Sequence, residues 1–292
     1  MKNKAKRAEA IAAGLFLLPE MAVMVIFVFI PMLYALYLSF IKWNGFQQDR
    51  RFVALENYMI TFKNNEFWAS IKVTLVYMVF YVALLFVLSL AMALLNHSVK
   101  NKAGQLYRTL IFTPHAVSLV IAGVIWTFMF SAPKGYINQL IGMFGIGPQA
   151  FLGSRSQALG CIVVISLWIA AGYYMIIFTA ALKEIPISLY EAAALDGAGV
   201  FQKFLFITLP GLKDTSIFVF VVSTIGALQL FEPVQILTSG GPAKATNVIV
   251  KYIYDTAFQL HDMGGASAAA FVLFVIIMLL TIAQLKITKM EI

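Results

Sequence analysis

Six stretches of this chain are too long and too poor in charge to have water as their solvent: about Pro19–Phe40, Val73–Leu95, Leu106–Phe130, Ala158–Leu182, Thr215–Leu237 and Ala266–Leu285. A helix needs about 20 mostly apolar residues to cross a bilayer, so each run is long enough for one crossing. With 61% hydrophobic and only 12% charged residues in 292, and a mean hydropathy of +0.88, there is more apolar surface than a soluble core of this length could bury. The expected fold is therefore all-α, an integral membrane protein of six transmembrane helices, with residues 1–292 forming a single membrane domain.

An even number of spans puts both termini on one side. Lys and Arg are more numerous in the connections on that side, led by the cluster Lys2, Lys4, Lys6 and Arg7. Basic flanks mark the cytoplasmic face, so both termini are expected in the cytoplasm. The basic start resembles the n-region of a signal peptide, but the apolar run from Ile11 to Phe40 is far longer than a cleavable core and has no convincing cleavage site. It reads as a retained start-transfer helix. The net charge of +8 is then a topology signal and does not call for nucleic acid. Charges within the spans (Glu20, Lys72, Arg108, Glu232) lie near span ends. Neither a mid-membrane ionisable pair nor a broken helix is evident, features that a secondary transporter usually carries. Cys161 is the single cysteine, which excludes an intramolecular disulfide; His97, His115 and His261 lack metal-ligand spacing, and core or interfacial roles are expected for them.

The connection from Lys183 to Asp214, KEIPISLYEAAALDGAGVFQKFLFITLPGLKD, is too polar to span yet full of helix instructions. Pro186 ends the preceding element, Ser188 and Glu191 have the spacing of a capping box, and Gly197 and Gly199 supply a stop. Together they predict a helix of two to three turns over about 188–196. Leu189, Ala192 and Ala193 fall at i, i+3 and i+4, a narrow stripe of small apolar side chains that lets another surface come close. Such a helix, hung between two spans on the cytoplasmic side, has the character of a docking knob; lying on the lipid headgroups is the alternative.

These residues also carry a resemblance. Glu191, Ala192, Ala193, Asp196, Gly197, Ala198, Ile207, Leu209 and Pro210 resemble the EAA signature of the permease subunits of binding-protein-dependent ABC importers. Leu230-Phe231-Glu232 and Leu237-Thr238-Ser239-Gly240-Gly241-Pro242 are similar to a stretch of the carbohydrate-uptake branch, of maltose, glycerol-phosphate and multiple-sugar type, with Glu232 where Asp is commoner. Tyr37-Leu38-Ser39-Phe40, Leu55-Glu56-Asn57-Tyr58, Phe67-Trp68 and Gly135-Tyr136-Ile137-Asn138 resemble that branch in the right order, so the likeness covers essentially the whole chain. It implies a type I ABC importer permease fold, in which the 183–214 segment holds a coupling helix seated in a cleft of a cytoplasmic ATPase subunit through Leu189 and the EAA positions. It further implies a multi-pass protein of the bacterial cytoplasmic membrane. The implied partners are a second homologous permease, two ATPase subunits, an extracytoplasmic solute-binding protein, a carbohydrate substrate and membrane lipid.

A P-loop of the form GxxxxGK[ST] is absent, so this chain is expected to bind no cofactor and to be no enzyme, with ATP and Mg on the partner ATPase. Asp196-Gly197-Ala198 also begins a membrane phosphotransferase pattern, but the further aspartates and the arginine of that chemistry do not follow. Sugars are held by stacking on aromatic rings and by neutral polar groups. The candidates along a substrate pathway are therefore Ser118, Trp126, Trp168, Tyr173, Tyr174, Gln229 and Glu232, with packing or an interfacial belt as the competing role for each. Gln229 and Glu232, at i and i+3 of the fifth span, are expected to share a face and form the best pair. The rival reading is a secondary transporter or channel subunit working without an ATPase.

Overall fold

The computed structural model describes residues 14–46, 49–98 and 101–288; the basic N-terminal cluster, Lys100 and Lys289 lie outside them. The main helices in chain order are α1 (Gly14–Ser39), α2 (Glu56–Lys63), α3 (Asn65–Ser98), α4 (Asn101–Ala116), α5 (Leu119–Met129), α6 (Tyr136–Gly142), α7 (Ala158–Glu184), α8 (Ile187–Leu195), α9 (Val200–Gly211), α10 (Lys213–Leu228), α11 (Glu232–Leu237), α12 (Ile249–Tyr254) and α13 (Met263–Thr288). Two short strands, β1 (Ile41–Lys42) and β2 (Arg51–Phe52), pair antiparallel, with Ile41 opposite Phe52 and Lys42 opposite Arg51. The chain packs as two compact units.

The first unit holds the described residues up to Asn65 together with Ile253–Phe274. Its joints are polar. Asn57 Nδ2 donates to the carbonyls of Ser39 at 2.8 Å and Ile41 at 3.1 Å, and Ser39 Oγ shares a 2.7 Å hydrogen bond with Tyr58, so α2 is stapled to the end of α1. The Met263 amide donates to the Trp43 carbonyl at 3.0 Å. At the next residue a Cβ would stand 2.1 Å from the Ile41 carbonyl oxygen, which is why that position is Gly264. α1 itself is nearly bare: only 6% of its most apolar stretch is buried, so its side chains need lipid or another subunit as solvent.

The second unit holds Glu66–Tyr252 and the described residues from Val275 onward, and α7 is its axis. More than half of the apolar stretch of α7 is buried, against 28% for that of α3. Ile162, Ile165, Met175 and Phe178 are fully covered by a core that includes Tyr77 and Leu85 of α3, Val219 of α10 and Val234 of α11. Two glycines set the closest approaches. A Cβ on Gly172 would lie 2.1 Å from the Ile111 carbonyl oxygen of α4, and one on Gly123 of α5 would lie 2.5 Å from Ile236 of α11.

Four of the expected spans are unbroken helices, α1, α3, α7 and α13, each long and apolar enough to cross a membrane. The other two are bent, and six crossings result if each bent pair is counted as one. α4 and α5 meet at 97°. Pro114 removes a backbone donor from the last turn of α4, and Ser118 is extended (φ −55°, ψ 131°). The sequence-based expectation of no broken helix is thus corrected. α9 and α10 meet at 65° at Leu212. The expected fifth helix, Thr215–Leu237, is also interrupted: α10 ends at Leu228 and α11 begins at Glu232. Pro233 fits this, since it stands in the first turn of α11, where proline is tolerated, and has no amide to give the Gln229 carbonyl that a continuous helix would need to pair. Gln229 and Glu232 therefore do not share a helix face, which corrects that pairing.

Candidate functional site

The polar connection holds the short helix expected over about 188–196, shifted by one residue, and then a second helix, α9, that was not among the expectations. α8 runs Ile187–Leu195, but Pro186 takes the N-cap place and no side chain caps the helix, so Ser188 and Glu191 do not form the expected box. Ser188 lies two residues beyond the N-cap position, too far inside the helix to act as its cap. The other end closes as foreseen: Ala198 N–H reaches the Ala193 carbonyl at 2.8 Å and Gly197 N–H the Ala194 carbonyl at 3.1 Å, with Gly197 at φ +76°.

No residue of α8 is buried. Leu189, Glu191, Ala192, Asp196 and Gly197 are exposed, and Ala193 and Ala198 are half-buried. The apolar exposure exceeds the stripe read from the sequence: Leu195 is 91% and Val200 89% exposed, with Ile187 and Phe201 close behind. This exposed apolar surface also carries the carboxylates of Glu191 and Asp196. The signal was present, as apolar residues in a polar connection, but these positions do not fall on one helical stripe.

α8 is tied to α9. Tyr190 Oη and Thr208 Oγ1 are 2.9 Å apart, and a Cβ on Gly211 would stand 2.8 Å from Ile185 Cδ1. Within α9, Phe204–Thr208 forms a π-helical turn whose last bond runs from the Leu209 amide to the Phe204 carbonyl. The wide turn accommodates Pro210, which has no amide to give and whose ring would crowd an α-helical carbonyl four residues back. α8 thus rides on an element that continues through Leu212 into α10.

The pathway candidates divide into groups. Trp126 of α5 and Trp168 of α7 meet edge to face at 5.6 Å. Tyr173 packs edge-on against Tyr174 at 5.2 Å, and Tyr174 is buried in the core, which favours packing as its role. His115, which the sequence placed in the core or at an interface, stacks on Tyr173 at 4.8 Å and is exposed at the end of α4. No spacing rule could have revealed that pair. Ser118 is exposed at the α4–α5 break, while Gln229 and Glu232 are exposed on either side of the α10–α11 break. The loop after α11 is closely tied: Thr238 Oγ1 and Thr246 Oγ1 lie 2.7 Å apart, Thr246 Oγ1 donates to the Gly241 carbonyl at 2.7 Å, Lys244 pairs with Glu66, and the Ile249 amide donates to Thr74 at 2.8 Å. Among the described residues, no group of three His, Cys, Asp or Glu side chains could hold a metal ion.

The model of the binding-protein-dependent transport system inner membrane component family matches residues 86–289, with the exposed α8 and the bent helices inside the match. The chain belongs to this family. This permease is 33% identical to the trehalose/maltose transport system permease protein MalF of Thermococcus litoralis, over 99% of this chain and 97% of that protein. It is 35% identical to the sn-glycerol-3-phosphate transport system permease protein UgpA of Brucella suis, over 94% and 93%. Its fold matches, with a TM-score of 0.85, 24% identity and 100% and 99% coverage, a chain of the bacterial alginate ABC transporter solved in complex with an alginate pentasaccharide-bound periplasmic protein. The permease is a multi-pass component of an ABC transporter.

Proposed function

We propose that this permease is the membrane-spanning subunit of an ATP-driven carbohydrate importer of the bacterial cytoplasmic membrane, with both termini inside. It works with a second homologous permease, two ATPase subunits carrying ATP and Mg, and an external solute-binding protein. The single observation that carries the coupling role is α8, a helix with no buried residue and several bare apolar side chains, hydrogen-bonded to the element that leads into α10. ATP-driven closure of the partner moves α8, and the motion passes through Tyr190 and Thr208 to the bent α9–α10 pair. The solute path opens to one side or the other because each state makes different contacts with the ATPases.

A carbohydrate substrate is supported by the printed names of the relatives and by the aromatic surfaces on α4, α5 and α7. His115 with Tyr173 and Trp126 with Trp168 offer ring faces and edges, while Ser118, Gln229 and Glu232 stand at helix breaks, where backbone groups freed from the helix also become available. In the reconstituted complex, Glu191→Lys and Gly197→Leu are expected to insert normally but to lose uptake and substrate-stimulated ATP hydrolysis. Normal uptake by both would overturn the coupling role. A panel of labelled oligosaccharides in the same system identifies the substrate, and no uptake of any would overturn the carbohydrate reading.

A further inference from the structure

α9 and α10 bend apart at Leu212, and a cleft of about 610 Å³ lies beside the bend within the second unit. Its lining includes Lys213 and Ser216 at the start of α10, Thr288 at the end of α13, and the apolar side chains of Phe86, Ile217 and Ile287. Lys213 is exposed, and among the described residues it has no carboxylate at ion-pair distance. Among the same residues no acidic side chain lines the cleft; Asp214 is exposed but lies outside the lining. The Ser216 hydroxyl oxygen is buried and has no hydrogen-bond partner among the described residues. Thr288 donates its hydroxyl proton to the Gln284 carbonyl at 2.8 Å and keeps only lone pairs.

The cleft has a polar end and an apolar end. Lys213 opens α10 and Thr288 closes α13, so both stand where the expected topology puts the cytoplasmic rim of the membrane, whereas Phe86 and Ile217 belong to apolar runs that cross it. A cation at the mouth with hydrocarbon-like walls behind it matches the polarity of a phospholipid, and basic recesses between helices on the cytoplasmic side are where anionic headgroups bind. A buried hydroxyl without a partner is costly, and a phosphate oxygen would accept its proton. We propose that this cleft seats one anionic glycerophospholipid of the inner leaflet. Its phosphate pairs with Lys213 and Ser216, a headgroup hydroxyl donates to Thr288, and an acyl chain lies along Phe86 and Ile217. An ATPase subunit, working in water, reaches the mouth of such a cleft but not its apolar depth. The lipid thereby braces the α9–α10 bend through which the coupling motion passes, so the anionic content of the membrane tunes transport. The inward side and the coupling role rest on the importer reading above; the cleft and its chemistry do not.

The test counts lipids by native mass spectrometry on the assembled transporter released from nanodiscs of phosphatidylethanolamine and phosphatidylglycerol. The wild type is expected to retain phosphatidylglycerol in preference to phosphatidylethanolamine. Lys213→Glu reverses an exposed charge and is expected to lower that retention about 10-fold. Lys213→Arg is expected to keep it, and Lys134→Glu, an exposed reversal on the expected outer side, to leave it unchanged. Ser216→Ala removes a hydroxyl that pairs with nothing in the described chain, so weaker retention with no fall in the unfolding midpoint is expected. Substrate-stimulated ATP hydrolysis is expected to rise with the phosphatidylglycerol fraction in the wild type and to respond less in Lys213→Glu. Wild-type retention in both Lys213→Glu and Ser216→Ala overturns the proposal. So does displacement of the lipid by millimolar inorganic phosphate, which would give the site to a soluble anion. Loss of the ATPase subunits from Lys213→Glu at every lipid composition overturns it too, by making Lys213 a protein contact. A wild-type assembly that shows uptake but no preference for phosphatidylglycerol overturns this inference and leaves the importer reading standing; one that retains the lipid without any uptake does the reverse.

Discussion

Gly172 and Gly197 do opposite work. At Gly172 the backbone is ordinary but space is missing, since a Cβ would overlap the Ile111 carbonyl; at Gly197 space is free but φ is +76°. Gly172→Val is expected to force α4 away from α7, at a cost of about 1–3 kcal/mol or more, seen as a lower thermal unfolding midpoint in detergent. Gly197→Ala costs only about 1–2 kcal/mol of backbone strain, and the chain stays folded. Gly197 was legible in the sequence because a helix stop is a local signal. Gly172 was not, because its close approach to Ile111, far away in the sequence, leaves no local pattern. His115 was illegible for the same reason. His115→Ala is expected to remove an aromatic contact worth about 0.5–1.5 kcal/mol and to raise the KM of uptake while leaving assembly with the ATPases unchanged.

At the scale of elements, hydropathy reads the unbroken spans well because lipid demands long apolar helices, and α7 begins at the residue where its apolar run does. It fails at the α4–α5 bend and at the α10–α11 break, since the apolar runs carry on across Ser118 and across Leu230–Phe231 while the backbone does not stay helical. Prolines were the available signal, and Pro233 in particular was passed over inside an apolar run. Pro233→Ala is expected to let α10 extend toward α11, seen as slower amide exchange over 229–232 together with impaired uptake; unchanged exchange would show that packing rather than proline makes the break. The helix α8 shows the converse, with its existence and its C-terminal stop legible but its N-cap misread. Leu195→Ser, at a nearly bare position, is expected to change stability by less than about 0.5 kcal/mol. The same variant is expected to copurify less ATPase.

Across the whole molecule, contacts within each unit join connections of matching parity. In the second unit Lys244 after α11 pairs with Glu66 before α3's apolar run, and in the first the Met263 amide at the start of α13 donates to the Trp43 carbonyl after α1. This supports the six-crossing topology, which cysteine labelling can test. The native thiol, Cys161, is buried and silent. In sealed right-side-out vesicles, a membrane-impermeant maleimide is expected to label Arg155→Cys and to miss Leu195→Cys until the vesicles are opened. Labelling of both from outside would refute the orientation. The bareness of α8 has a last consequence. A helix that gives its own chain little beyond the Tyr190 hydrogen bond is nearly free of the selection that interior packing imposes, so it can be inherited as a cassette. Exchanging Ile187–Leu195 for the matching stretch of a relative, with Tyr190 kept, is expected to leave the bundle folded and to transfer its allegiance to the relative's ATPase.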